Sequence, residues 1–175
     1  MSGWRGTLVA IVLVLVPGPV LGQTDEPRPF AWDVARAVLI DPTTYAPAVI
    51  SYEAMGGDWK TSQVLFAHGW LEKNPRFTLS GRANDMPVDY SEGADRIRGA
   101  ALTVLQYSVL NNVGAGVVER LLVARYPRRK NLIRTLSWVE RIAFASLLAY
   151  SNSADHFRQA SSNRQLAADY GYSNR

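Results

Sequence analysis

Residues 99–118, GAALTVLQYSVLNNVGAGVV, are twenty consecutive positions without a charge, and no other feature limits the fold as much. A helix of that length rises about 30 Å, the thickness of a bilayer's hydrocarbon core. Yet Asn111 and Asn112 stand side by side in the run, with Thr103, Gln106, Tyr107 and Ser108 upstream. The run reads as a membrane span or as the core helix of a soluble bundle, and its neighbours must decide.

Those neighbours place it in a helical hairpin. Ser91 is a suitable N-cap for a helix that Pro127 ends, RRKN makes the turn, and Asn131 caps the next helix. The pattern predicts helices over about 92–126 and 131–160, antiparallel because the connection is short. On the first, Ile97, Ala101, Val104, Ser108, Asn111, Ala115, Val118 and Leu122 share a face. On the second, Leu132, Leu136, Val139, Ala143, Ser146, Tyr150 and Phe157 do the same. Helical spacing of this kind predicts that the two stripes pack together. Gly114, Ala115 and Gly116 would mark the nearest approach.

Upstream, FAWDVARAVLI has helical spacing and stops at Asp41-Pro42. Thr43 or Thr44 can cap a second helix, which Gly56-Gly57 would end. Asp58 would then cap a third, ending at Gly69. Residues 72–90 lose all periodicity and read as an ordered irregular loop, while NRQLAADYGY forms a short terminal piece. The expected fold is all-α, with four to six helices built on the hairpin.

Two considerations weigh the hairpin. A spanning hairpin would put the basic turn on the cytoplasmic side, as the positive-inside rule asks. Arg134, Glu140 and Arg141 would then enter the bilayer, at about 2.5–3.5 kcal/mol for each charge at its centre. In a soluble bundle Asn111 needs a partner, which Ser108, Ser146 or Tyr150 can supply, while Asn112 points toward the polar side. Asn111, Asn112, Glu140 and Arg141 form the expected polar network, and the balance favours a helix buried in protein.

The N-terminus carries Arg5, an apolar block over 8–16 and small residues at Val20 and Gly22. This is the pattern of a cleaved export signal, 1–22, followed by a flexible leader, 23–29, and one helical domain, 30–175. The chain has no cysteine, so it uses no disulfide and carries no lipid on an N-terminal cysteine. Export without cysteines or glycosylation sequons suits a bacterial periplasmic or membrane-associated protein. The net charge is +4, or +3 once Arg5 leaves, too mild for a nucleic-acid partner.

No motif names an activity. His68 and His156 are the only histidines, and they could join Glu53 and Asp58 in a small enzyme site, but no spacing demands a metal. Ser80 lacks the nucleophile elbow of a hydrolase, and Gly114-Ala115-Gly116 follows no strand, so it is not a dinucleotide loop. No cofactor is expected. Charge concentrates at the turn, in Arg125, Arg128, Arg129, Lys130 and Arg134, and in the loop at Arg76 and Arg82. These suit an anionic membrane surface or an acidic envelope protein. The leading expectation is an exported, non-enzymatic binding protein of the envelope. The alternatives are a small envelope enzyme using Glu53, Asp58, His68 and His156, and a membrane-inserted hairpin.

Overall fold

The computed structural model describes residues 30–172, so the export signal and leader expected over 1–29 lie outside it. The described residues form an all-α fold of four helices: α1 (Phe30–Ile40), α2 (Pro42–Phe66), α3 (Tyr90–Arg125) and α4 (Lys130–Asp169). Two single-turn 3-10 helices, Pro75–Phe77 and Pro127–Arg129, interrupt the connections. At 1.5 Å per residue α3 and α4 are about 54 and 60 Å long.

Side-chain bonds fix how the helices lie. Asn112 bonds Thr43 and Thr44 at one end of α2, and Trp59 bonds the Tyr90 carbonyl at 3.1 Å at the other, so α2 and α3 are antiparallel. Arg141 meets Asp41 and Asn163 meets Ser62, so α2 and α4 are parallel. α1 packs on α3, tied by Arg120 to the Phe30 carbonyl at 2.7 Å and to Asp33 at 3.0 Å.

Pro42 separates α1 from α2 as expected, because proline suits a first helical position and no later one without cost. The cap is Asp41, accepting from the Thr43 amide at 2.9 Å, not Thr43 or Thr44. Gly56-Gly57 does not end α2. Both glycines stay helical, at about 1 kcal/mol each relative to alanine, and burial of Ala54, Met55 and Trp59 on either side holds the helix through them. Asp58 is therefore a mid-helix residue and caps nothing. Pro47 also lies inside α2, where it cannot donate to the Thr43 carbonyl. Helix α3 starts at Tyr90, with Asp89 in the cap position, and α4 starts at Lys130, so Ser91 and Asn131 lie within their helices. The expected terminal piece belongs to α4, which runs unbroken to Asp169.

The 67–89 connection is ordered and irregular. Gly69 at φ +84° turns the chain out of α2, and Gly81 and Asn84 also adopt left-handed backbone. Isolated bridges pair Glu72 with Asp85 and Thr78 with Pro87. The loop contributes Phe77 and Val88 to the one hydrophobic cluster among the described residues, built on Met55, Trp59 and Ile97. Trp59 and Phe77 have ring centroids 5.2 Å apart. Gly93 of α3 lies against Trp59 so closely that a Cβ there would come within 2.3 Å of the indole.

The hairpin stripes meet only in part. On α3, Ile97, Ala101, Val104 and Ser108 are buried as expected, but Val118 and Leu122 are exposed. On α4 the expected stripe is open: Leu132, Leu136, Val139, Ala143, Ser146, Tyr150 and Phe157 are all exposed. The face that α4 buries carries Ala145, Ser153, Ala160, Asn163 and Ala167, because its main neighbour is α2 and not α3. No close approach occurs at Gly114 or Gly116, where a Cβ would meet nothing within 4 Å.

Candidate functional site

Polar groups line the seam between α2 and its two neighbours, in three clusters. The first lies where α2 begins. Arg141 reaches Asp41 at 3.1 Å and Glu119 at 3.3 Å, with its side chain 11 % exposed. Arg134 touches the far oxygen of Glu119 at 3.8 Å. One guanidinium thus joins α4, α3 and the α1–α2 junction, and Asp41 caps α2 at the same time. Arginine suits this position because its planar fork donates to two carboxylates at once.

The second cluster is the Asn112 amide, which donates to Thr43 at 3.0 Å and Thr44 at 2.6 Å, while Thr44 donates to the Val38 carbonyl at 2.8 Å. Of the two asparagines it is Asn112 that is buried and satisfied. Asn111 sits about 100° round the helix, half-buried, with an amide nitrogen that is enclosed and unpartnered. The sequence assignment of their roles is reversed, because α3 turns the Asn112 face to α2.

The third cluster lies two-thirds of the way along α2. Asp58 meets His156 Nδ1 at 2.8 Å, and Asn163 donates to the other Asp58 oxygen at 3.1 Å and to Ser62 at 2.8 Å. Gln159 donates in turn to Asn163 at 2.8 Å. A carboxylate accepts, so against it His156 Nδ1 is the donor.

The four residues of the expected enzyme site do not converge. Asp58 and His156 meet. Glu53 is exposed on α2, and His68 lies past the end of α2, bonded to the Val64 carbonyl and stacked on Tyr172 at 3.7 Å. Among the described residues no three His, Asp or Glu side chains come close enough to hold a metal ion. Of the expected polar network, Asn112 and Arg141 take part, whereas Glu140 is exposed and has no ion pair among the described residues.

Arg125, Arg128, Arg129 and Lys130 are exposed around the turn, without an ion pair among the described residues. Arg76 and Arg82 are exposed at the opposite end of the bundle, in the loop. There, hydrogen bonding from Ser80, then from the Met86 amide, holds the Asp85 carboxyl below its ordinary value, and Arg82 adds to the effect.

Sequence reasoning missed Asp41, Glu119, Thr43, Thr44 and Asn163 as members of these clusters. A signal existed for Asp41 alone, as the acid before a helix-initiating proline. The others become visible only when α2 is known to run unbroken between α3 and α4. Comparison with family models, with curated proteins and with solved structures finds no match for this chain.

Proposed function

We propose that this chain works as a non-enzymatic binding protein inserted in a lipid bilayer, its α2–α4 bundle embedded and its basic turn against anionic headgroups. One observation carries the reading: over the middle of the bundle the distribution of residues is inverted. Inside are Thr43, Thr44, Ser51, Ser108, Asn112 and Ser153, all buried. Outside, on all three helices, are Tyr45, Val49 and Tyr52, then Leu102, Tyr107 and Leu110, then Leu147 and Tyr150, each 41–67 % exposed. Small and polar residues between helices, with bulky apolar ones outward, are what a lipid solvent selects. A soluble oligomer would cover one side of the bundle, not the outer faces of three helices.

Magnitudes support this choice. Half-exposing a large apolar side chain to water forgoes roughly 1 kcal/mol, so these eight amount to about 8 kcal/mol, comparable with a whole domain's stability. Against this stand the charges. Arg141 has two counter-ions, whereas Glu53 is exposed about 7.5 Å before Asp58 and limits the charge-free part of α2 to 42–52, about 16 Å. The charge-free zone runs over 142–154 on α4 and 99–118 on α3, or about 20 and 30 Å. Helix α3 is the one described helix long and apolar enough to cross a membrane, and only 28 % of that stretch is buried in the bundle, whereas a soluble core helix would be mostly covered. The one hydrophobic cluster among the described residues, Met55, Trp59, Val88 and Ile97, lies around the level of Asp58, toward the loop end of the bundle.

The basic turn supports a second reading, peripheral docking on an anionic surface, at about 1 kcal/mol per basic residue. One experiment separates the two. Spin labels are placed at Val49→Cys, Leu110→Cys and Leu147→Cys in this cysteine-free chain, with Arg129→Cys as the turn probe, in vesicles containing phosphatidylglycerol. Insertion predicts that the first three collide with oxygen and are shielded from a water-soluble nickel chelate. If all three are open to the chelate while Arg129→Cys responds to anionic lipid, the protein docks peripherally and insertion is wrong.

A further inference from the structure

We propose that the groove between α3 and α4, on the turn side of Arg141, binds a cationic amphiphile: an apolar body carrying one ammonium group. The helical pattern writes a closed interface here, from Ala115, Val118 and Leu122 on one side to Leu136 on the other. The structure leaves it open, with a groove of about 390 Å³ between the helices. Val118 and Leu136 form its apolar walls and stay 55 % and 59 % exposed. An open groove with apolar walls leaves a volume for an apolar occupant.

Polar groups in the groove specify the occupant's charge. Ser137 lines it with a hydroxyl oxygen that is enclosed and without a partner. Its two charged lining residues are both acids, Glu119 and Glu140. Arg134 and Arg141 both reach Glu119, so Glu119 is the paired acid of the two. Glu140 is the acid left without an ion pair among the described residues. An ammonium group supplies the counter-charge for Glu140 and donates to its carboxylate. A carboxylate-headed chain would meet like charge, and an uncharged one would leave Glu140 as it is. The inference does not rest on bilayer insertion, because the same groove and charges face a soluble ligand equally.

The test uses Leu136→Cys, which puts a single thiol in the groove wall, with Val118→Cys as the facing-wall alternative should the first fail to fold. Cationic and anionic methanethiosulfonates are compared, each rate normalised to an exposed control, Ser161→Cys. The cationic reagent should react faster by about fivefold or more, the factor of a unit-charge contact in water. Adding Glu140→Gln should remove most of that preference. Dodecylamine should protect the thiol and laurate should not. Protection by phosphatidylethanolamine but not phosphatidylcholine assigns a lipid headgroup, and protection by dodecylamine alone assigns a free amine. Equal reagent rates, equal protection by dodecylamine and laurate, or a preference untouched by Glu140→Gln would each overturn the proposal. Spin labels reporting water at Leu110 with this preference intact would overturn insertion and leave the groove standing.

Discussion

Replacing Arg141 with methionine tests whether the bundle is held by the junction of its three long helices. Each contact of Arg141, 3.1 Å to Asp41 and 3.3 Å to Glu119, has a gross attraction of about 5 kcal/mol at an effective dielectric of 20. Most of that is offset by desolvation, since the three side chains are only 11–20 % exposed. Methionine removes the cation and leaves two enclosed carboxylates, the arrangement that costs about 3–5 kcal/mol. Asp41 keeps its bonds from Thr43, and Glu119 keeps the longer contact with Arg134, so the lower end, about 3 kcal/mol, applies. The assay is unfolding by rising dodecyl sulfate in mild detergent, followed by helical circular dichroism. Its sharper part is a sign. Arg141→Met with Glu119→Gln should be more stable than Arg141→Met alone, because the second change removes a stranded charge. A single variant within about 0.5 kcal/mol of wild type, or a double variant less stable than the single, would refute the reasoning.

Three further outcomes follow from local geometry. Gly93→Ala should destabilise by about 1–3 kcal/mol, because its methyl would come within 2.3 Å of the Trp59 ring, and the shift should appear as changed Trp fluorescence and a lowered midpoint. Asn112→Leu should cost about 1–2 kcal/mol, whereas Asn111→Leu should be neutral or slightly stabilising since it removes an unpartnered amide; equal midpoints for the two variants would contradict the assignment. Asp85 is held below its ordinary value, so its contribution to the 67–89 loop is present above that value and lost as the pH falls through the folded one. Protease nicking of the loop should therefore rise on acidification below about pH 4, and Asp85→Asn should remove that step.

Elements whose ends are set by proline were legible in the sequence. Pro42 and Pro127 mark the boundaries of α1 and α3, and the aperiodic 72–90 stretch is the irregular loop it reads as. Gly56-Gly57 misled because glycine weakens a helix without forbidding it, and the tertiary contacts of Trp59 and Met55 outweigh the cost. That one error hid the third polar cluster. With α2 cut at Gly56, Asp58 reads as a cap or as one of four residues of a site with His156, and nothing connects it to Asn163 about a hundred positions later. Asp41 and Arg141 are likewise a hundred residues apart, and only the parallel packing of α2 and α4 brings them together.

The misplaced face of α4 has a different cause. A period of 3.6 tells which residues share a side of a helix, but it does not tell which side is inside. That second step assumes water as the surroundings, where the bulky apolar side must be the buried one. On α4 the bulky side carries Leu136, Val139 and Tyr150, and the small and polar side carries Ala145, Ser153 and Asn163. The structure buries the second against α2, where small side chains let the helices close and Asn163 finds Asp58 and Ser62. The α3 helix follows the water rule at Ile97, beside the Trp59 cluster, and departs from it at Asn112. Ala101 and Val104 are still buried in the ordinary way, so the change of rule along this helix falls between Val104 and Ser108.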